Sequence, residues 1–244
     1  APPRGAHSVE AHAGCLAFEF SSGAQRIVVN CGTSRYGSAE LRLAARSTAA
    51  HSTVTLDDRS SAAFGLVLGE MRVVAGPADV RVARQDAEAG QEWVGSHDGY
   101  RRGLGAVHTR RLLLARDGAT LTGEDEITLG GTPSGLPAVA RFHLHPSIRP
   151  SLIREGAGAM LALPNGEVWA FEASGLQVSI EESIFLAAAD GRRRTEQLSV
   201  AFDAVATPRI AWRFSRIGAA AASTGRFRPP PPDAGTPPEP AQDA

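Results

Sequence analysis

The sequence predicts an all-β fold: a large antiparallel β-sandwich of stacked sheets, followed by a disordered Pro-rich C-terminal tail. Three observations predict it. Short apolar and β-branched runs recur along the 244 residues. Many of them alternate with period two, as half-buried strands do. Turn residues separate them, with hairpin punctuation at Ser22-Gly23, Asp117-Gly118, Asn165-Gly166 and Asp190-Gly191.

In chain order the strands are expected at residues 15–20, 27–31, 52–56, 71–74, 80–83, 107–114 and 120–127. They continue at 139–145, 159–163, 168–172, 176–180, 183–187, 197–202 and 209–214. The first shows the pattern well, with Leu16, Phe18 and Phe20 set against Ala17 and Glu19. The Ala-rich stretch 39–50 is the one passage suited to a turn or two of helix, just before His51. From Arg228 onward Pro dominates, which builds neither a ladder nor a core. The expected division is therefore a sandwich domain over 1–218 and a tail over 219–244, with no internal repeat.

With 43% apolar residues the chain has enough material for a sizeable core. Its 25 basic residues, all Arg, nearly balance 26 acidic ones and are spread along the chain, which argues against nucleic acid as a partner. The apolar runs are shorter than the roughly 20 residues of a transmembrane helix. The first residues, Ala-Pro-Pro-Arg-Gly, lack a basic and apolar leader and read as the start of an excised piece. Cys15 and Cys31 are enough for one disulfide and too few for a disulfide framework.

Three potential metal ligands, His12, Asn30 and His51, each sit beside strand-like sequence, so a sheet can gather what the chain keeps apart. An odd-numbered loop around Ser22 would put His12 and Asn30 on one side of a hairpin and both cysteines on the other; an even loop would not. The alternative reading is a hydrogen-bonded rim. Asn30 brings an amide oxygen that neutralises none of a cation's charge.

The strings His12-Ala-Gly-Cys-Leu-Ala-Phe18, Val29-Asn-Cys-Gly-Thr33 and Ala50-His-Ser-Thr53 resemble the C-terminal β-sandwich domain of heparinase II/III-like proteins. The family pattern is His-Gly-His-Ala-Asp-x-Leu-Ser-Phe, Asp-x-Gly-Thr and His-Asn-Thr. Later segments, His97-Asp-Gly-Tyr100, Val107-His-Thr-Arg-Arg-Leu112 and Arg141-Phe-His-Leu-His-Pro146, look like a bacterial branch of the group.

The resemblance implies a polysaccharide lyase half that works with an N-terminal α/α toroid on an acidic polysaccharide such as a glycosaminoglycan, in the cell envelope or periplasm. It implies a zinc ion on His12, Asn30 and His51. Two positions depart from the family: its cleft-facing first His falls on Glu10, and its zinc-binding Asp on Asn30. The implied chemistry is β-elimination at a uronic acid, with catalytic Tyr, Asn and His groups in the toroid; neither Tyr36 nor Tyr100 matches the catalytic Tyr. The chain alone is expected to be inactive. The alternative is a non-catalytic glycan-binding or scaffold sandwich.

Other clusters carry less. His143 and His145 share a strand face without the Glu a cupin-type site would add, so an ordered polar face is the simpler reading. His97, Asp98 and Tyr100 form either a polar loop cluster, with Arg101 and Arg102 open to acidic sugars, or an Asp-Gly turn with solvated arginines. No Gly-x-Ser-x-Gly elbow is present, and Gly103-Leu-Gly105 lacks a phosphate-cradling context. Trp93, Trp169 and Trp212 are expected in the core.

Overall fold

The computed structural model describes residues 1–3, 5–33 and 37–218; the predicted tail over 219–244 and Tyr36 lie outside them. β1 (Phe20–Ser22) and β2 (Gln25–Val29) form a hairpin. Helix α1 (Ala39–Arg46) starts where Ser38 Oγ accepts the Leu41 N–H at 3.1 Å, and a 3-10 turn, Thr48–Ala50, delivers His51 to β3 (Val54–Leu56). β4 (Ala63–Val67) and β5 (Glu70–Ala75) pair only with each other. Next come β6 (Val80–Ala87), β7 (Gly90–His97), the single-turn helix α2 (Arg101–Leu104), β8 (Ala106–Ala115) and β9 (Thr120–Leu129). Last are β10 (Pro137–Leu144), β11 (Arg149–Ile153), β12 (Gly158–Ala162), β13 (Val168–Ala173), β14 (Ser179–Phe185), β15 (Arg193–Asp203) and β16 (Arg209–Gly218).

Two large antiparallel sheets result. One runs β1-β2-β10-β15-β14, with β3 also on β10; the other runs β11-β12-β13-β16-β9-β8-β7-β6. Inward residues of both, such as Val28, Phe142 and Leu198 from the first and Trp169, Phe171 and Phe214 from the second, fill one core. Phe142 sits 4.8 Å, ring to ring, from both Phe171 and Trp212, where the two layers meet.

The four expected hairpin turns all lie between paired strands. The 39–50 stretch contains α1 and the 3-10 turn. Residues 176–180 and 183–187, expected as two strands, contribute to the single β14. β4, β7 and β11 had no counterpart in the sequence reading: glycines interrupt the first two, and Pro150 sits in β11, an edge strand that can accommodate it.

The expected strand over 15–20 is corrected to one that begins at Phe20. Leu16 adopts a left-handed backbone, φ 58°, and the neighbouring carbonyls are claimed by side chains instead of a ladder. Cys15 C=O accepts the Thr53 hydroxyl at 3.0 Å, and Leu16 C=O accepts Arg110 Nη1 at 3.0 Å.

Candidate metal centre

The segment bearing His12 is fixed from both sides. Arg46, buried at the end of α1, donates to the carbonyls of Ala11, Ser8 and Met71, each at 2.8 Å. Ala13 donates its N–H to Arg46 C=O at 2.8 Å, and its own carbonyl accepts the hydroxyls of Thr48 at 2.7 Å and Ser61 at 3.2 Å. The 3-10 turn ends at His51, which is 8% exposed. Asn30 follows β2 directly, and Cys31 N–H donates to Ala50 C=O at 3.0 Å, binding the Asn30 and His51 segments together.

His12, Asn30 and His51 line one cleft of about 450 Å³, beside Gly14, Cys15 and Trp93. His12 Nδ1 stands 3.0 Å from His51 Nε2. His51 Nδ1 lies 2.7 Å from Ser47 C=O, a pure acceptor, so that nitrogen carries the hydrogen and Nε2 presents its lone pair to His12. Burial pushes the His51 pKa down to about 4, with the Ser47 carbonyl opposing, so the ring is neutral at physiological pH. His12 is shifted down as well, by burial and by the Arg46 charge.

Asn30 Oδ1 accepts the Ser52 N–H at 2.9 Å and its Nδ2 donates to Glu19 at 3.3 Å. The hairpin loop behind it, Gly23-Ala24, is even, and the ladder shifts register between Phe20 and Ser21. Asn30 and His12 still line the same cleft because both lie beyond the ends of the ladder. Glu10 is exposed.

These residues meet some requirements of a metal site. A His–carbonyl bond that fixes the ligating tautomer is the usual outer support of a metal-bound imidazole, and His12 Nδ1 and His51 Nε2, 3.0 Å apart, are near enough to face one cation. The donor set is two neutral imidazoles and one neutral amide. Among the described residues no three His, Cys, Asp or Glu side chains gather where they could hold a metal.

Below the cleft, His108, Arg110 and Asp125 face inward from β8 and β9 and are fully buried. Asp125 accepts four hydrogen bonds: Arg110 Nε at 2.7 Å and Nη2 at 3.0 Å, His108 Nε2 at 2.7 Å, and Trp212 Nε1 at 2.8 Å. Burial alone would raise its pKa; the Arg110 charge and these donors hold it well below the carboxylate range. Arg110 Nη1 donates to Leu16 C=O and to Ser52 C=O, the latter at 2.7 Å, so the ion pair holds Leu16, which lines the cleft, together with the residue after His51.

Trp169 and Trp212 are core residues, but Trp93 is corrected: it is half-buried on the cleft wall, over Gly95, where a Cβ would come within 2.5 Å of its ring. Arg46, Arg110 and Trp93 carry no motif. The one sequence signal is period two, which puts His108, Arg110 and Asp125 on the inward face beside Ala106 and Ile127.

Cys15 and Cys31 are free thiols. His143 is buried and satisfied by Ser183 Oγ at 2.8 Å and Ala49 C=O at 2.9 Å, in keeping with an ordered polar role. Tyr100 is buried, its hydroxyl donating to Val54 C=O at 2.8 Å.

The chain is 34% identical over 200 residues to FtsZ-localized protein C of Caulobacter vibrioides, covering 75% of this chain and 33% of that protein. Its fold is similar to that of a heparinase III (TM-score 0.67, 16% identity, 91% of this chain and 32% of that one). It is similar also to the heparan sulfate lyase HepC of Pedobacter heparinus in a mutant form (TM-score 0.69, 14% identity, 91% and 33%). The chain thus spans about a third of the length of these proteins. The heparinase II/III-like C-terminal profile matches residues 1–213, and on that match the chain belongs to this family, which is related to polysaccharide lyases.

Proposed function

We propose that this sandwich forms one wall of an acidic-polysaccharide cleft in a lyase-type protein, and that it is inactive without an N-terminal α/α toroid. The observation that carries the reading is the convergence of His12, Asn30 and His51 in one cleft beside the half-buried ring of Trp93. Trp93 offers an aromatic face to a sugar ring. In β-elimination a base removes the C5 proton of a uronate, its carboxylate is neutralised, and an acid protonates the leaving glycosidic oxygen. Tyr100 is unavailable for such a step, since burial raises its pKa and its hydroxyl is committed to Val54 C=O. The proton-transfer groups are therefore assigned to the toroid, and the workplace to the cell envelope or periplasm.

Zinc in the cleft would be held by His12, His51 and Asn30, and would supply a fixed positive charge bracing the cleft wall. Supporting this are the His51 tautomer set by Ser47 and the 3.0 Å approach of the two imidazoles. With no anionic donor, the ion is held more weakly than in a carboxylate-containing site.

A second reading, a non-catalytic glycan-binding or scaffold sandwich, draws on Glu10 and Asn30 standing where the family pattern has a His and an Asp. It also draws on the likeness to FtsZ-localized protein C. Incubating heparan sulfate with this chain alone, and with the longer protein that contains it, separates the readings. Unsaturated product from the longer protein only is the expected result; none from either supports the scaffold, and product from the chain alone refutes its inactivity.

A further inference from the structure

A second cleft, of about 590 Å³, opens between the turn at Arg59–Ala62 and α2. Three guanidinium groups line it: Arg59, Arg101 and Arg102. Arg59 pairs with Asp57 at 3.0 Å, and its Nη1 lies 3.6 Å from where a Cβ on Gly103 would sit, so it reaches across to α2. Arg101 and Arg102 are exposed and make no salt bridge among the described residues. The acidic group on the wall is Asp98, whose Oδ1 accepts the N–H groups of Ala78 at 2.7 Å and Asp79 at 3.0 Å and whose charge also interacts with that of Arg101.

The backbone leading into Arg101 and Arg102 is anchored. Tyr100, next to Arg101, is 3% exposed and anchored to Val54 C=O. Gly99 packs so closely that a Cβ there would come within 2.5 Å of Ser61 C=O. Opposite the arginines, Ala62, Ala63 and Val74 give an apolar wall. Cations on an anchored backbone, lining the same cleft as small apolar groups, suit a pyranose ring bearing an oxoanion: the guanidinium forks take the anion and the wall takes the C–H face.

The linings of this cleft and of the His12–Asn30–His51 cleft are neighbours, although no residue lines both. Ser61, on its floor, donates its hydroxyl to Ala13 C=O, next to His12, and its N–H to the Thr48 hydroxyl oxygen at 2.9 Å, three residues before His51. Pro2 lines the metal cleft and lies 3.7 Å from a Cβ built on Gly76, which lines the arginine cleft; Ala78 lines one and Val80 the other.

We propose that Arg59, Arg101 and Arg102 form an oxoanion subsite for a carboxylate or sulfate of an acidic glycan whose chain continues into the metal cleft. The inference rests on the polysaccharide reading above and adds where the substrate's charge is held. The test is calorimetric titration of the chain with a heparan sulfate hexasaccharide and with its carboxyl-reduced and its desulfated forms.

The expected result is a Kd raised about tenfold or more in Arg101→Gln/Arg102→Gln, against less than about twofold in Arg192→Gln/Arg194→Gln, which removes the same charge from exposed positions around the start of β15, far along the chain. Weaker binding of the carboxyl-reduced or of the desulfated form identifies which oxoanion the subsite holds, and either result supports it. Equal losses in the two double variants, or none in the first, overturn the subsite while leaving glycan binding intact. No binding of any hexasaccharide by the unaltered chain overturns the polysaccharide reading, and the subsite with it.

Discussion

Arg110 and Asp125 face each other through two parallel hydrogen bonds, 2.7 and 3.0 Å, with neither side chain exposed to solvent. Such a pair is costly to break one-sidedly, because the remaining charge stays buried without its partner. Arg110→Met leaves Asp125 with only His108 and Trp212 and frees the carbonyls of Leu16 and Ser52. A destabilisation of about 3–5 kcal/mol is expected in urea unfolding. A loss under about 1 kcal/mol would mean that the carboxylate has found water.

Gly14 makes the position of His51 sensitive to a single methyl group. A Cβ at residue 14 would stand 2.6 Å from His51 Cδ2 and 3.0 Å from Nε2, the lone-pair nitrogen. In Gly14→Ala the ring must move off its Ser47 acceptor. Zinc affinity is expected to fall about tenfold or more while far-ultraviolet circular dichroism is unchanged; retained affinity would place the ion elsewhere.

Asn30→Asp should act in the opposite direction. The new carboxylate keeps the Ser52 N–H bond and adds the missing negative charge. It also faces Glu19, which accepts from the amide now, so the metal-free variant is expected to be slightly less stable than the parent. Competition against a chelator, followed by elemental analysis, should show affinity raised about 10-fold or more and one tightly held zinc. His51→Ala should hold none. Unaltered affinity in Asn30→Asp would remove residue 30 from the ligand set.

Acid should weaken the fold well above the carboxylate range. Burial pushes His97 down to about 3, helped by the charge of His108, and His143 down to about 4. Both are neutral when folded, whereas the unfolded chain takes up protons near pH 6.5. Their contribution is therefore complete above that pH and is lost as pH falls toward the folded values, each group adding about 1.4 kcal/mol per pH unit. Urea midpoints measured between about pH 7.5 and 4.5 should decline along this slope, and His97→Gln should flatten it. A pH-independent midpoint would show that both rings are reached by water.

The sandwich was legible because period-two burial leaves its mark on several long strands: Ile210, Trp212 and Phe214 in β16 alternate with exposed neighbours, whereas β6 is exposed almost throughout and β15 is buried in a run over residues 197–200. The segment around Leu16 was misread for the same reason, since its apolar alternation is real while its carbonyls are engaged by Arg110 and Thr53, far along the chain. His12, Asn30 and His51 could be named from short strings, and the structure puts them in one cleft. Arg110 could not, because an arginine on an inward face is meaningful only beside its acceptors. Trp93 looks like core in sequence and reaches the cleft because β7 lies one strand from the sheet edge.

The clamp on the cleft also orders events in folding. Arg110 reaches carbonyls 94 and 58 positions earlier in the chain, and its carboxylate partner lies 15 positions later. The β8–β9 hairpin can form locally, whereas the seat for Leu16 and Ser52 exists only once it has formed and the first fifty-odd residues have returned to it. On these separations the cleft is expected to close late in folding. A chain emerging N-terminus first exposes His12 and Cys15 well before their neighbours have been synthesised.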